Sequence, residues 1–208
     1  MQIHTVVPVK DLTRAKSRLA GRLSLAERRD LVVEMLGRVL ATLLASRGAA
    51  LAEIWVISAD LEVLALAESV GARTIFDRAG DLNGALDQSR IALTAAGAAA
   101  MLVIPADVPL IAPQDLASLV ATLADGADLA LATDRQGDGT NALGLRLPSA
   151  LPFHFGAQSA RLHREAAAAL GLRLKLYASP TLSLDVDDVE SLGRYHELND
   201  TNRTATEQ

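Results

Sequence analysis

The chain has 208 residues, no cysteine and a formal net charge of −5. That excludes disulfides, thiolate metal sites and a cysteine nucleophile, and it argues against nucleic acid as a partner, which calls for a basic surface. Hydrophobic residues make up 50% of the chain but aromatics only 3%, so Ala, Leu and Val must build the core. No apolar stretch reaches the length of a membrane span, and the expectation is a soluble cytoplasmic protein with no membrane partner.

QIHTVVPV (2–9) predicts a first strand, followed by the basic stretch KDLTRAKSRLAGRL. SLAERRDLVVEMLGRVLATLLAS then carries a 3.6-residue period, with Ser24 and Glu27 spaced as a capping box. EIWVIS (53–58) predicts a second strand, Asp60 a cap, and LEVLALAESV a helix stopped at Gly71. ARTIFD (72–77) is a third strand, DLNGALDQSRIALTAAGA a loop running into a helix, and AMLVIPAD (100–107) a strand apolar on both faces. Pro113 suits the first turn of a helix over PQDLASLVATLA. Beyond residue 125, DLALATD and ALGLRL flank the polar loop RQGDGTN, and ALGLRL is placed to pair antiparallel. SARLHREAAAALG (159–171) is helical, LRLKLY and LSLDV are short strands, and VDDVESLGRYHELN is the last helix. Continuous apolar strands alternating with helices predict an α/β fold, a mostly parallel sheet with helices on both faces. No linker or repeat interrupts it, so residues 1–200 read as one domain and 201–208 as a disordered tail.

In such a sheet, ligands bind outside the carboxyl ends of the strands. Asp107 in PADVPL and Asp185 in LDVDD both fall at such ends, and Asp187 lies two residues beyond Asp185 on the same side of an extended segment. Three carboxylates aimed at one point repel one another unless a cation joins them, and Mg2+ suits that donor set beside substrate phosphates. The competing reading is helix capping. It is weaker for Asp107, whose helix starts several residues later at Pro113, and evenly matched for Asp187 and Asp188.

Lys10, Arg14, Lys16, Arg18 and Arg22 cluster just after the first strand, at the same edge. Ammonium and guanidinium groups are the usual side-chain clamps on a triphosphate. The loop has no glycine-rich phosphate cradle, so charge must carry the binding; alone, the stretch would read as a solvated basic turn.

PVKDLTRAKSRL, PADVPL, DGTNAL, FGAQSARLH and LDVDD, in this order, resemble the guanylyltransferase family of deazaflavin-coenzyme biosynthesis. The resemblance spans residues 5 to 190 and implies a single-domain nucleotidyltransferase of the glycosyltransferase-A-like, Rossmann-related fold. It implies transfer of GMP from GTP to phosphoenolpyruvate, 2-phospho-L-lactate or 3-phospho-D-glycerate, with phosphoenolpyruvate favoured because the Ala- and Arg-rich composition suggests a bacterial member. Carried over by position, it makes Asp107, Asp185 and Asp187 the magnesium ligands, and Lys10 and Lys16 catalytic groups facing the phosphates and the acid. Lys16, Arg18 and Asn83 would bind the nucleotide, Asn83 facing the base; Thr140, Gly156 and Ser159 would bind the acid. Asp81 stands where many members carry a glycine. A helix starting at Ser159 would offer free amides to a phosphate, and His163 on that helix reads as an exposed or packing residue. Two other functions remain open: a nucleotide-sugar glycosyltransferase of the same fold, and a non-catalytic GTP-binding module. Whether the chain forms a homodimer is also open.

Overall fold

Period-two alternation sends successive strand residues to opposite sides of one seven-stranded sheet. The structure, a computed structural model, describes residues 1–14 and 16–206, with the backbone alone for Arg14 and residues 200–206. The strands are β1 (Ile3–Pro8), β2 (Ile54–Ser58), β3 (Arg73–Phe76), β4 (Ala100–Val103), β5 (Leu129–Thr133), β6 (Thr140–Arg146) and β7 (Leu174–Tyr177). Their order is β3-β2-β1-β4-β6-β5-β7. Only β6 runs antiparallel to its neighbours, as the sequence predicts for ALGLRL.

Among the described residues, six α-helices cover the sheet: α1 (Leu25–Ala45), α2 (Leu61–Ser69), α3 (Leu82–Ala95), α4 (Pro113–Ala124), α5 (Ser159–Ala169) and α6 (Val189–Thr206). Ile54, Val56, Leu102 and Ala130 face a core shared with α1, α2, α4 and α6. Trp55, Ile57, Met101, Val103 and Leu131 face a second core shared with α3 and α5. Both faces are therefore buried, which is why these strands read as continuous apolar runs.

Local start signals act as the sequence predicts. Ser24 and Glu27 form the capping box of α1, Asp60 caps α2, and Pro113 opens α4. Three expectations change. The segment LSLDV is not a strand: its backbone turns on Ser179, and Val186 N–H donates one isolated bond to the Asp107 carbonyl. Its alternation has another cause, since Leu182 and Val186 fill the core between loops. β4 stops at Val103, so Asp107 sits four residues past the strand in a turn. Helix α6 continues beyond residue 200 to Thr206, no glycine or proline intervening, and residues 207–208 lie outside the described residues.

The topology fixes where ligands can sit. From β1 the chain moves outward through β2 and β3, then returns to lay β4 on the other side of β1. The crevice between β1 and β4 is the switch point, and the loops leaving both strands open into it. Because β6 is antiparallel, its first residues, Thr140 and Asn141, lie at this same edge.

Candidate active site

After β1, the basic stretch folds into two short 3-10 turns, Leu12–Arg14 and Ser17–Leu19. Between them Lys16 adopts a left-handed conformation, φ 44° and ψ 50°. A non-glycine residue takes that conformation only where surrounding contacts hold it. Those contacts are two carboxylates: Lys16 Nζ donates to Asp107 Oδ2 at 2.7 Å and to Asp187 Oδ1 at 2.7 Å. Burial by itself would lower the ammonium's pKa, but Asp107 and Asp187 outweigh it and raise it, so Lys16 is cationic at any physiological pH. Arg18 Nη1 stands 3.8 Å from the other oxygen of Asp187. Lys10 and Arg22 are exposed on the same loop; the side chain of Arg14 lies outside the described residues.

Asp185 is held from the opposite direction. Asn141 Nδ2 donates to Asp185 Oδ1 at 3.2 Å and to the Leu182 carbonyl at 2.8 Å. Burial, then the charges of Asp107 and Asp187, push the Asp185 carboxyl above its usual range, against the opposing Asn141 hydrogen bond. The capping alternative resolves residue by residue. Asp188 is the cap of α6, accepting from Ser191 N–H at 2.8 Å, which leaves Asp187 to face Lys16.

Asn141 reaches Asp185 because of a bulge. Ala132 pairs with Ala142 and Thr133 with Thr140, so Asn141 is an extra residue on β6. Neighbouring Thr140 turns instead toward α5. Its Oγ1 lies 3.1 Å from His163 Nδ1, while His154 N–H donates to His163 Nε2 at 2.9 Å. His163 is fully buried, with the Phe155 ring edge-on at 5.2 Å. Asn83 joins this side of the site: its Nδ2 donates to the Phe155 carbonyl at 3.2 Å and its Oδ1 accepts from Phe155 N–H at 2.8 Å. One donor and one acceptor position of the amide are thereby used; the second Nδ2 hydrogen and the second Oδ1 lone pair are the ones left for the nucleotide base it was expected to face. Asp81, the departure from the family pattern, caps α3 by accepting from the amides of Asn83 and Gly84.

α5 starts at Ser159 as the sequence predicts, but its first amides do not behave as expected. The cap is Gln158, left-handed at φ 56°, and Ser159 is the first helical residue. The Ser159 and Ala160 amides donate to the Gly156 and Asp138 carbonyls, so these two are not free for an anion. Gly156 has φ +129°, and a Cβ there would meet nothing within 4 Å; the turn presents bare backbone to open space. Lys16 and Gln158 are the non-glycine residues with positive φ among the described residues. The sequence-predicted carboxylates, Lys16, Thr140, Gly156 and Ser159 thus line one edge of the sheet.

The family model for "Guanylyl transferase CofC like" proteins matches residues 3–203. This chain belongs to that family. The phosphoenolpyruvate guanylyltransferase of Chloroflexus aggregans is 45% identical over 195 residues, 93% of this chain and 96% of that protein. The 2-phospho-L-lactate guanylyltransferase of Methanothermobacter thermautotrophicus is 38% identical over 194 residues, 93% of this chain and 83% of that protein. A solved nucleotidyl transferase from Methanothermobacter thermautotrophicus superposes with a TM-score of 0.65 at 18% identity, covering 94% of this chain and 96% of that one. At that identity the likeness speaks for the fold: a single-sheet nucleotidyltransferase architecture of the glycosyltransferase-A-like kind.

Membership in a family of guanylyl transferases makes the donor set's fit to magnesium a direct question. The chemistry fits: three hard carboxylates share one edge, and burial together with the neighbouring charges, which raise Asp185, is what a divalent cation would offset. In the arrangement described, an ammonium does that work, and no group of three carboxylate or imidazole side chains among the described residues is closed enough to hold an ion. Asn141 is a participant that the sequence did not single out: it lies inside the DGTN motif, and an amide entering an apolar strand is itself a signal.

His163 gives the site a pH signature. Burial, followed by the His154 charge, holds its imidazole down at about 4 from an ordinary 6.5. The unfolded chain therefore binds a proton there at higher pH than the folded one, and stability falls as pH drops from about 6.5 toward 4. At pH 4.5 the expected loss from this residue is about 2 to 3 kcal/mol relative to pH 7.5. Urea unfolding of wild type and His163→Asn at both pH values should show the steeper decline in wild type. Parallel declines would mean the imidazole is not buried neutral.

Proposed function

We propose that this protein transfers GMP from GTP to the phosphate of a phosphorylated three-carbon acid, releasing pyrophosphate, in deazaflavin-coenzyme biosynthesis. Phosphoenolpyruvate is the favoured acid over 2-phospho-L-lactate and 3-phospho-D-glycerate. Residues 1–200 form the nucleotidyltransferase domain. The observation that carries this reading is on β6. Asn141 ties into the acidic corner at Asp185, while the adjacent Thr140 faces the turn and helix that carry Gly156 and Ser159. A nucleotide triphosphate held at the first place and an acid phosphate at the second would meet across two consecutive residues. Family membership and the 45% identity to a phosphoenolpyruvate guanylyltransferase support the same reaction and acid.

A phosphate oxygen of the acid attacks the α-phosphorus of GTP in line. The bond from that phosphorus to the bridging oxygen of the β-phosphate breaks, and pyrophosphate leaves with the electron pair. The attacking phosphate is ionised near neutral pH, so no general base is needed, and positioning with charge neutralisation supplies the catalysis. Lys16 is placed to transfer its ammonium from the carboxylates to phosphate oxygens. Lys10 and Arg18, exposed on the rim, would meet the outer phosphates. Asp107, Asp185 and Asp187 would hold magnesium, which neutralises phosphate charge when bound. Thr140, Gly156 and Ser159 would bind the acid, with Asn83 fixing the Phe155–Gly156 turn.

The test is pyrophosphate release from GTP and Mg2+ with each of the three acids supplied separately. Release is expected with phosphoenolpyruvate, and Asp107→Asn or Asp185→Asn should each lower it by about 100-fold or more, the scale of losing a charge-stabilising group. Release with another acid alone would correct the substrate. Full magnesium-dependent turnover in either Asn variant would overturn the metal assignment.

A further inference from the structure

We infer that His163 is a positioning residue of the acid pocket, setting the Thr140 hydroxyl as a hydrogen-bond donor aimed at an anionic oxygen of the substrate; this rests on the placement of the acid proposed above. His154 N–H donates to His163 Nε2, so Nε2 is an acceptor and carries no proton. In a neutral imidazole the proton then sits on Nδ1. Nδ1 is 3.1 Å from Thr140 Oγ1, and with its own proton it cannot accept there; it has two oxygens to donate to, Thr140 Oγ1 and the Ser159 carbonyl one turn back on α5. Thr140 therefore cannot give its hydroxyl proton to the histidine. Among the described residues no other group accepts that proton. Thr140 is buried at the start of β6, so the unspent donor is an asset only if an incoming acceptor takes it. A phosphate or carboxylate oxygen is such an acceptor, whereas a metal ion or an ammonium is not.

The same ring joins the pocket's two walls. One side of the imidazole holds β6 through Thr140, and the other holds the His154–Phe155 backbone that leads to Gly156. Asn83 secures that backbone from α3. A substitution that merely loosened the core would affect both substrates, whereas loss of a positioned donor on the acid side affects the acid.

Two measurements test this. Nitrogen-15 NMR of histidine-labelled protein at pH 7.5 should find His163 neutral with the proton on Nδ1; a proton on Nε2 would overturn the inference without any variant having to fold. Steady-state kinetics with GTP and the active acid form the second arm. His163→Leu should raise KM for the acid by about tenfold or more, the scale of one hydrogen bond to a charged group, with KM for GTP within about twofold. His163→Asn, whose amide can replace Nδ1–H, should restore much of that loss. In a Thr140→Val background, His163→Leu should add less than about twofold, because the two act as one unit. Equal rises in both KM values, or effects that multiply in the double variant, would overturn the positioning role. An acid KM unmoved by Thr140→Val alone, with the Nδ1 tautomer present, would instead overturn the placement of the acid.

Discussion

Lys16→Met is expected to lower kcat/KM for GTP by about 100-fold or more while making the protein bind free Mg2+ more tightly than wild type does. Both effects follow from one bridge. The ammonium lies 2.7 Å from an oxygen of Asp107 and 2.7 Å from one of Asp187, and it is the nearest cation in a corner where burial and two neighbouring charges already raise Asp185. Removing it deletes the group that would pass to the phosphates, and it also strips the carboxylates of their counter-charge. A fully buried pair broken this way costs about 3 to 5 kcal/mol. Here the two aspartate side chains are 28% and 43% exposed, so water screens part of the penalty and about 1 to 3 kcal/mol is expected. Added Mg2+ should recover that stability, because an ion that binds only the folded form stabilises it by mass action. Initial rates, calorimetric titration of Mg2+ and urea unfolding check the three parts together. Unchanged Mg2+ affinity in a folded, inactive variant would mean that Lys16 acts on substrate alone and does not hold the acidic corner. Lys16→Arg is not a conservative control, since a planar fork cannot place one charge between two carboxylates as a point ammonium does.

What the sequence could and could not announce divides along chain distance. Ser24 with Glu27, Asp60 before α2 and Pro113 at the start of α4 act within a turn of themselves, so their spacing suffices. The two-faced burial of the strands was legible for the same reason: each apolar run records its own surroundings. The Lys16–Asp187 contact joins residues 171 apart, and nothing in the basic stretch says that one lysine turns inward while Lys10, Arg18 and Arg22 stay exposed. The Asn141 bulge is likewise invisible in β6 alone, because an extra residue exists only by comparison with the strand it faces. LSLDV misled for a third reason. Burying Leu182 and Val186 from a loop produces the same alternation as burying them from a strand, and the difference lies in where the backbone hydrogen bonds go.

The second large effect is expected at Asp115, a residue with no place in the chemistry. Asp115→Ala should cost about 3 to 5 kcal/mol of folding stability, the upper range for a single substitution, and lower kcat by about tenfold or more. Its carboxylate is 2% exposed and accepts four hydrogen bonds. Oδ2 takes Ala112 N–H at 2.8 Å and the Thr181 hydroxyl at 2.6 Å, and Oδ1 takes the hydroxyls of Tyr177 at 2.9 Å and Ser179 at 2.5 Å. Alanine leaves all four donors without that acceptor in the interior, where hydrogen bonds to a charged group contribute about 1.5 to 3 kcal/mol each and do not simply add. Asp115→Asn separates the causes. The hydroxyls of Tyr177 and Ser179 can rotate to accept from the new amide while its oxygen keeps Ala112 N–H, so about 1 to 2 kcal/mol is expected, the scale of one weakened hydrogen bond. The link to catalysis is geometric. Tyr177 ends β7, and Ser179 and Thr181 begin the segment that carries Asp185 and Asp187 toward Asn141 and Lys16. That segment has no sheet ladder of its own, so the buried carboxylate at the start of α4 fixes where it begins, ahead of the Asn141–Leu182 and Val186–Asp107 bonds further along. Urea unfolding with magnesium-saturated initial rates measures both consequences. Wild-type stability in Asp115→Ala would refute the anchoring, and full turnover in a destabilised variant would show that the acidic segment finds its place without it.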